Sequence, residues 1–325
     1  MAKKRKKPLE NKPLKKINTW NIIKTSFKII SAGFSILLTI FFIIFFIGIL
    51  SMFITPETIK EGNIAVIGIK GLITTGDNSP LSSIGTKSQD IVDLIEKANK
   101  ENKIKAILLD IDSGGGAPVA SYEIADAVKK SNKTVIAVIR EIGASGAYWI
   151  ASAADKIFAN KMSITGSIGV RASKIEIAGL MKDYNITYRR LVAGKYKDIG
   201  TPFKEMTPKE QEMYQKLIDE LHEIFIKAVA ENRNMPEEKV KELANGFVFL
   251  GIDAKKLGLI DEIGGKKEAL DYLKKELKLE KAKPVEYKKP KTFIQMLSKA
   301  SATWFYNIGR GLGSMFSSEV KVSLT

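Results

Sequence analysis

The chain has 325 residues, of which 45% are hydrophobic and 27% are charged, and this composition is typical of a folded protein. It has no cysteine and one histidine, His222, which excludes thiol catalysis, disulfides, thiolate zinc sites and any site that needs two imidazoles. The net charge is +16, but residues 1–28 alone carry ten Lys and Arg against Glu10. Because more than half of the excess charge lies at one end, we expect no nucleic-acid partner.

A long apolar segment follows the basic one. Ile29–Ile54 contains 26 residues without a charge, enough at about 1.5 Å per residue to cross a hydrocarbon core of roughly 30 Å. A buried globular helix is rarely apolar on all faces, and a signal peptide has a shorter apolar region that ends at a small-residue cleavage site. We therefore predict an uncleaved single-pass anchor over residues 29–54. The positive-inside rule then places residues 1–28 in the cytoplasm and the rest of the chain outside, at the cell membrane.

Strand and helix patterns alternate after the anchor, which predicts an α/β domain with a parallel sheet over residues 55–280. The predicted strands are Ile64–Ile69, Ala106–Ile111, Thr134–Ile139, Lys156–Ala159 and Ile186–Val192. The predicted helices are residues 91–98, Val119–Lys130, Ala147–Ala154, Ser173–Tyr184, Pro208–Asn232 and the region after Pro236. The segment Gly71–Lys87, rich in Gly, Ser, Thr and Asp, is predicted to be a loop.

A lysine-rich break separates this domain from the C-terminus. Residues 281–291 contain five lysines and two prolines, so we interpret residues 281–325 as a linker followed by a tail. Within the tail, residues 293–316 place apolar side chains roughly on one face. We expect this segment to bind an interface or a membrane surface rather than to form a core element.

A glycine-rich string, Asp112-Ser113-Gly114-Gly115-Gly116, follows a predicted strand and precedes a predicted helix. This end of a parallel sheet is where α/β proteins bind ligands. Successive glycines let a substrate approach bare N–H groups, as an oxyanion hole or an anion nest requires. A phosphate-binding loop is disfavoured because no Gly-Lys-Ser/Thr end follows, whereas a plain turn stays an alternative.

A second string, Gly143-Ala144-Ser145-Gly146-Ala147, also joins a predicted strand to a predicted helix. A serine on so tight a turn projects its hydroxyl, flanking glycines admit an acyl group, and the helix dipole favours negative charge. Ser145 is thus either a nucleophile or a helix N-cap. The presence of a base decides between the two.

Histidine is a poor candidate for the base, because His222 lies in the middle of a predicted amphipathic helix and is interpreted as solvated. A lysine base must be neutral, which requires lowering its pKa by about three units, or about 4 kcal/mol. Lys195 and Lys197 lie in a basic turn, and the residues alone do not choose between them. A third string, Ile164–Val170, offers hydroxyls that could hold a lysine amine. For both segments a plain solvated turn is the alternative.

The four strings DSGGG, GASGAYW, TGSIGV and GKYKD occur in this order, and Lys197 follows Ser145 by 52 residues. Together they resemble signal peptide peptidase A, the protease IV family of serine peptidases. The resemblance extends over about residues 64–277. It implies Ser145 as nucleophile, Lys197 rather than Lys195 as general base, and Ser167 as the hydroxyl that orients the lysine.

The resemblance also implies an oxyanion hole from Gly115 or Gly116 together with Gly146. The family loop usually reads Asn-Ser-Pro-Gly-Gly, and here Asp112 replaces the Asn and Gly114 the Pro.

The resemblance further implies a ClpP/crotonase-like fold, a single-pass membrane protein and a homo-oligomeric ring, with no metal or organic cofactor. The implied substrates are signal peptides and other apolar peptides at the lipid bilayer. The alternatives are a crotonase-type acyl-CoA enzyme and a catalytically inactive membrane scaffold of the same fold.

Overall fold

The computed structural model describes residues 19–54, 61–76, 85–289 and 307–309. It divides the chain into two compact units, Met1–Lys60 and Glu61–Thr325, which are described separately. The amphipathic tail predicted over residues 293–316 lies outside the described residues except for 307–309.

The first unit contains one helix, α1, over Thr19–Ile54. Within it, Phe27–Gly48 has a mean hydropathy of 2.6 and is not buried by other residues of the chain. This stretch is long and apolar enough to cross a membrane, which is consistent with the predicted anchor. The helix begins ten residues before the predicted span, since residues 19–28 are also helical.

The second unit alternates strands and helices. Its strands are β1 Ile64–Lys70, β2 Ile73–Thr74, β3 Thr86–Lys87, β4 Ala106–Ser113, β5 Thr134–Ala144, β6 Lys156–Ala159, β7 Ile164–Gly166, β8 Val248–Leu250, β9 Glu262–Ile263 and β10 Pro284–Tyr287. Its helices are α2 Ser88–Lys100, α3 Pro118–Lys129, α4 Gly146–Ser152, α5 Ala178–Asp183, α6 Pro208–Arg233, α7 Glu237–Leu243, α8 Gly251–Leu257 and α9 Lys266–Glu276.

The main sheet has the strand order β10-β1-β4-β5-β6-β9, and all of these pairs are parallel. β7 pairs in parallel with the end of β5, and β8 is antiparallel to β7. The predicted α/β class with a largely parallel sheet is therefore confirmed.

Alternate residues of each central strand enter two apolar layers on opposite faces of the sheet. On β4, Ile107 and Leu109 pack in the larger layer, with residues of α2, α3, α4 and α6, whereas Leu108 packs in the smaller layer beside α9. Because both faces are covered, Ala106–Leu109 of β4 and Val135–Ile139 of β5 are apolar throughout rather than alternating. Each such buried side chain contributes about 1.5–3 kcal/mol to stability.

β5 carries an irregularity that determines where the chain leaves the sheet. It advances four residues, from Ile139 to Gly143, while the neighbouring β4 advances two. Two extra residues in one strand bend it locally. The end of β5 consequently pairs with β7 instead of β6, and Ala144 lies opposite Gly166.

Three predicted elements differ from the structure. The loop predicted over Gly71–Lys87 contains the short strands β2 and β3, which pair with each other. The strand predicted over Ile186–Val192 is wrong: these residues form no strand and all are exposed. The helix predicted over Ser173–Tyr184 is reduced to α5.

The segment predicted as linker contains a strand. β10 adds to the sheet beside β1, and Lys289, just beyond it, contacts Asp90 and Asp93 of α2 at 2.7 and 2.8 Å. The ordered domain therefore continues past residue 280.

Helix α6 begins at the predicted residue and has a capping box. The Thr207 hydroxyl accepts from the Glu210 amide at 3.3 Å, and the Glu210 carboxylate accepts from the Thr207 amide at 3.0 Å. A hydrogen bond from Lys204 and the one from the Thr207 backbone lower the pKa of Glu210 to about 2. The carboxylate thus stays ionised at neutral pH and stabilises the start of α6, whose later turns reach the site described next.

Candidate active site

Ser145 forms the turn between β5 and α4. Its backbone has φ +54° and ψ −127°, a conformation rare for any residue other than glycine. The turn is held by the Ser145 amide, which donates to the Gly166 carbonyl at 2.8 Å, and by the Trp149 amide, which donates to the Ser145 carbonyl at 3.0 Å. Backbone strain of this kind persists where the surrounding structure enforces it, and it is common at functional turns.

The residue after the serine must be glycine. A Cβ at Gly146 would lie 2.1 Å from the Ser121 hydroxyl oxygen. That hydroxyl is buried and donates to the Ala117 carbonyl at 3.0 Å, so it cannot easily move aside. α3 therefore packs directly against the start of α4.

The predicted glycine loop lies against this turn. A Cβ at Gly115, which has φ +97°, would approach the Gly146 nitrogen to 2.7 Å. The loop is held from the other side by Ile73, whose amide donates to the Gly115 carbonyl at 3.1 Å and whose carbonyl accepts from Ala117 at 2.9 Å. A Cβ at Gly116 would lie 2.0 Å from the Ile73 carbonyl oxygen. Glycine is thus required at both positions.

Gly115 and Gly116 differ in the hydrogen bonds that their backbone amides make. The Gly115 amide donates to the Ser113 hydroxyl at 3.0 Å, and that hydroxyl donates to the Gly71 carbonyl at 2.5 Å. Within the part of the chain that the structure describes, the amides of Gly116 and Gly146 have no acceptor. They lie close together, since a Cβ at Gly146 would be 3.3 Å from the Gly116 nitrogen. Two neighbouring free donors at a helix start can bind a developing oxyanion.

Ser167 follows β7 and faces the same cavity as Ser145. It has φ +50°, its amide donates to the Phe247 carbonyl at 2.8 Å, and its hydroxyl donates to the Gly246 carbonyl at 3.1 Å. Because the hydroxyl hydrogen is used in this bond, the oxygen keeps lone pairs that can accept from an amine.

One cavity of about 840 Å³ contains Ser145, Ser167, Gly146 and the glycine loop 114–116. The structure thus brings together every predicted site residue except Lys197. The cavity also has apolar walls, which the sequence analysis did not identify: Leu72, Pro118, Trp149, Val170, Leu221 and Phe225. The rings of Trp149 and Phe225 stack at 4.7 Å and form a buried floor.

Lys197 lies on an exposed turn and is not among the residues that line the cavity. Arg190 holds this turn by donating to the Lys195 carbonyl at 3.0 Å and to the Asp198 carboxylate at 2.9 Å. The hydrogen bond from Arg190 keeps the pKa of Asp198 below its usual range. Lys195 lies on the same turn, with its ammonium 5.2 Å from the centre of the Tyr196 ring.

Two other groups with titratable side chains lie near the site but do not line it. His222 is partly buried rather than solvated as predicted, because its helix α6 packs against α4 and α7. Its Nε2 atom is buried and has no hydrogen-bond partner among the described residues. Tyr148 is fully buried, donates to the Leu259 carbonyl at 2.9 Å, and has its pKa raised by burial. Its phenol therefore has a structural role.

A serine at a strand-to-helix turn beside two free amides is the arrangement that serine hydrolases use for acyl transfer. Comparison with known proteins identifies the class further. Residues 127–280 match Peptidase family S49. A provisionally named protease of Methanocaldococcus jannaschii is 37% identical over 71% of this chain and 75% of its own length. The chain belongs to family S49 and is a serine peptidase.

Further relatives carry more specific names. A protein of Enterococcus faecium, provisionally named signal peptide peptidase SppA, is 35% identical over 74% of this chain and 72% of its own length. Protease 4 of Haemophilus influenzae is 31% identical over 66% of this chain and 36% of its own length. A solved structure, that of a mutant of the 1510-N membrane-bound stomatin-specific protease, covers 65% of this chain and 84% of its own, with 17% identity and a TM-score of 0.41. The resemblance to the protease IV family is confirmed, and a peptidase is favoured over an acyl-CoA enzyme.

Proposed function

We propose that this chain is a membrane-anchored serine endopeptidase with a Ser145–Lys197 dyad, which degrades signal peptides left in the membrane after their release from preproteins. The observation that carries the proposal is the cavity: Ser145 projects from its strained turn beside the free amides of Gly116 and Gly146, between apolar walls. An apolar cavity suits apolar peptide side chains.

In the first half of the reaction, the Ser145 hydroxyl oxygen attacks the peptide carbonyl carbon while the neutral Lys197 amine takes the hydroxyl proton. The amides of Gly116 and Gly146 donate to the oxyanion, whereas the Gly115 amide is already bonded to Ser113. The C–N bond then breaks, and the leaving amine takes the proton from the Lys197 ammonium. An acyl ester on Ser145 results.

In the second half, water attacks the ester carbonyl and gives a proton to Lys197. The tetrahedral intermediate collapses, Ser145 leaves with that proton, and the peptide departs with a new carboxyl group. Ser167 accepts a hydrogen bond from the lysine amine and orients it, because its own hydrogen is donated to Gly246. The proposed steps need no metal or organic cofactor.

A single copy of the chain leaves Lys197 outside the cavity, so the proposal requires a second copy to supply it. The segment that carries Lys197 exposes large apolar side chains, including Ile175 at 81% and Leu191 at 94% exposure. Several large apolar side chains exposed on one segment favour an interface. Head-to-tail packing, with Lys197 of each copy at the next copy's Ser145, closes into the homo-oligomeric ring that we propose.

The proposed anchor places this site where its substrates are. A tether to the lipid bilayer raises the effective concentration of membrane-inserted peptides at the active site. The ten basic residues among residues 1–28 orient the chain with the N-terminus in the cytoplasm and the peptidase domain on the extracytoplasmic side.

This orientation predicts a labelling pattern that is easy to read, because the chain has no cysteine of its own. In intact cells, a membrane-impermeant maleimide should label the variant Thr325→Cys and should label Ala2→Cys only after lysis. The reverse pattern would overturn the proposed orientation.

The substrate class predicts a second result. The full-length chain in detergent should cleave a synthetic signal peptide within its apolar segment, with kcat/KM at least about tenfold higher than for a polar peptide of equal length. Fragment masses locate the cleavage sites, and the Ser145→Ala variant serves as the blank. Equal rates on the apolar and polar peptides would contradict the proposed substrate class.

A further inference from the structure

The cavity has a single formal charge in walls that are otherwise uncharged. Among the residues that line it, Arg171 is the one ionisable side chain. The others are glycines, serines and apolar residues, and the floor is the buried pair Trp149 and Phe225. An arginine beside an apolar floor is an unusual wall for a site that handles only apolar side chains.

Arg171 also differs from other arginines of the domain in its partners. Arg140, Arg190 and Arg233 each pair with an aspartate, at 3.7, 2.5 and 2.8 Å. Over residues 85–289, Arg171 has neither an ion pair nor a hydrogen bond from its guanidinium. Its side chain is exposed at the cavity rim, so its five N–H donors can bind an incoming group.

The backbone next to Arg171 is anchored close to the nucleophile. The Ser167 amide donates to the Phe247 carbonyl at 2.8 Å, and the Ile168 carbonyl accepts from Gly246 at 3.1 Å. Arg171 follows Ser167 by four residues, a span of at most about 14 Å. An extended peptide advances about 3.3 Å per residue, so Arg171 lies within about four peptide residues of Ser167, which lines the same cavity as Ser145.

We propose that Arg171 is a specificity-determining residue that binds a carboxylate of the peptide substrate. The anions that peptides carry are the side chains of Asp and Glu and the terminal carboxylate, and the guanidinium fork binds all of them through paired hydrogen bonds. Because the guanidinium is exposed at the rim, recognition depends on the paired hydrogen bonds rather than on burial of the charge. The inference rests on the proposed peptidase function of the same cavity.

This contact has a consequence for which peptides are degraded. A signal peptide that has been released from its preprotein ends in a free carboxylate, whereas the same residues within the intact preprotein continue as an amide. Binding of that carboxylate by Arg171 makes the enzyme favour released peptides over intact preproteins. An acidic side chain at the same distance would be bound through the same chemistry.

Matched peptides test the inference and separate the two sources of carboxylate. The first pair has one apolar sequence with a C-terminal acid or amide, and the second pair, amidated, carries internal Asp or Asn within four residues of the cleaved bond. With the full-length chain in detergent, at least one pair should show kcat/KM about tenfold or more higher for the carboxylate form. In Arg171→Gln that ratio should fall close to one, and Arg171→Lys should retain part of it.

The control is Lys239→Gln, which removes one positive charge from an exposed residue of α7, outside the cavity and outside the segment that carries Lys197, and should keep the wild-type ratio. A wild-type ratio near one for both pairs, or a preserved ratio in Arg171→Gln, overturns the inference. Affinities of the same peptides for Ser145→Ala give a readout that does not depend on turnover. If no peptide is hydrolysed but binding still depends on the carboxylate and on Arg171, the proposed reaction is wrong and the role of Arg171 stands.

Discussion

Replacing Ser145 with alanine should lower kcat/KM for peptide hydrolysis by about 10⁴-fold or more, the size of effect seen when a serine nucleophile is removed. The expected loss is this large because covalent catalysis has no substitute once the hydroxyl oxygen is gone. Alanine keeps the Cβ, so the backbone at φ +54° is no more strained than before and the thermal unfolding temperature should change little. A fluorogenic apolar peptide measures the rate, and calorimetry measures the stability.

A serine-reactive phosphonate provides a second measurement of the same prediction. It should add its mass to the wild-type peptide that contains Ser145 and should not label Ser145→Ala. Ser173→Ala, at an exposed serine outside the cavity, is the matched control and should keep full activity and labelling. An active Ser145→Ala variant, or phosphonate attached elsewhere, would show that another residue is the nucleophile.

The second large effect is expected at Lys197. The variant Lys197→Ala should lose about 10³-fold or more in kcat/KM, because without the base the Ser145 proton has no acceptor. Lys195→Ala removes the same charge two residues earlier on the same turn and should stay within about threefold of the wild type. The ratio of kcat/KM between the two variants separates a role in catalysis from the general effect of losing a positive charge. Equal losses would contradict the choice of Lys197.

A mixture of two inactive variants tests whether a second copy supplies the lysine. Ser145→Ala and Lys197→Ala each lack one member of the dyad, and co-assembly places the intact Ser145 of one beside the intact Lys197 of the other. With random assembly in a head-to-tail ring, about one site in four becomes complete. Recovery of roughly that fraction of wild-type activity is the expected result. An assembled mixture with no activity would show that each chain uses its own lysine.

The site's glycines and Ser145 were predictable because they act through local backbone geometry. GASGAYW joins a strand to a helix, and the structure places Ser145 on a strained turn there. The next residue is Gly146, where the nearby Ser121 hydroxyl leaves no room for a Cβ. DSGGG likewise forms the loop that lies against Gly146. The difference between Gly115 and Gly116 was not predictable, since it depends on the Ser113 hydroxyl, which is itself bonded to Gly71 on a distant segment.

The wrong strand at Ile186–Val192 shows the opposite case. Its β-branched and aromatic residues favour a strand, but strand formation depends on a neighbouring strand to bond with. Among the described residues of one copy no strand lies beside this segment, so it stays irregular and exposed. The prediction for the lysine-rich segment after residue 280 was wrong in the opposite sense. A linker was expected, but Pro284–Tyr287 forms strand β10 because the edge of β1 is free to pair with it.

By itself, the sequence determined the long apolar helix α1, the order of the central strands and helices along the chain, and the four motifs. Hydrophobic periodicity, turn residues and glycine requirements act over a few neighbouring residues. Only the tertiary structure decided which residues share the cavity. Contacts between segments far apart in the chain set the bend in β5, the apolar floor where Trp149 meets Phe225 and the position of Arg171 at the rim. They also leave Lys197 outside the set of residues that line the cavity. Such contacts are set by packing among elements, and packing leaves no periodic signal in the chain itself.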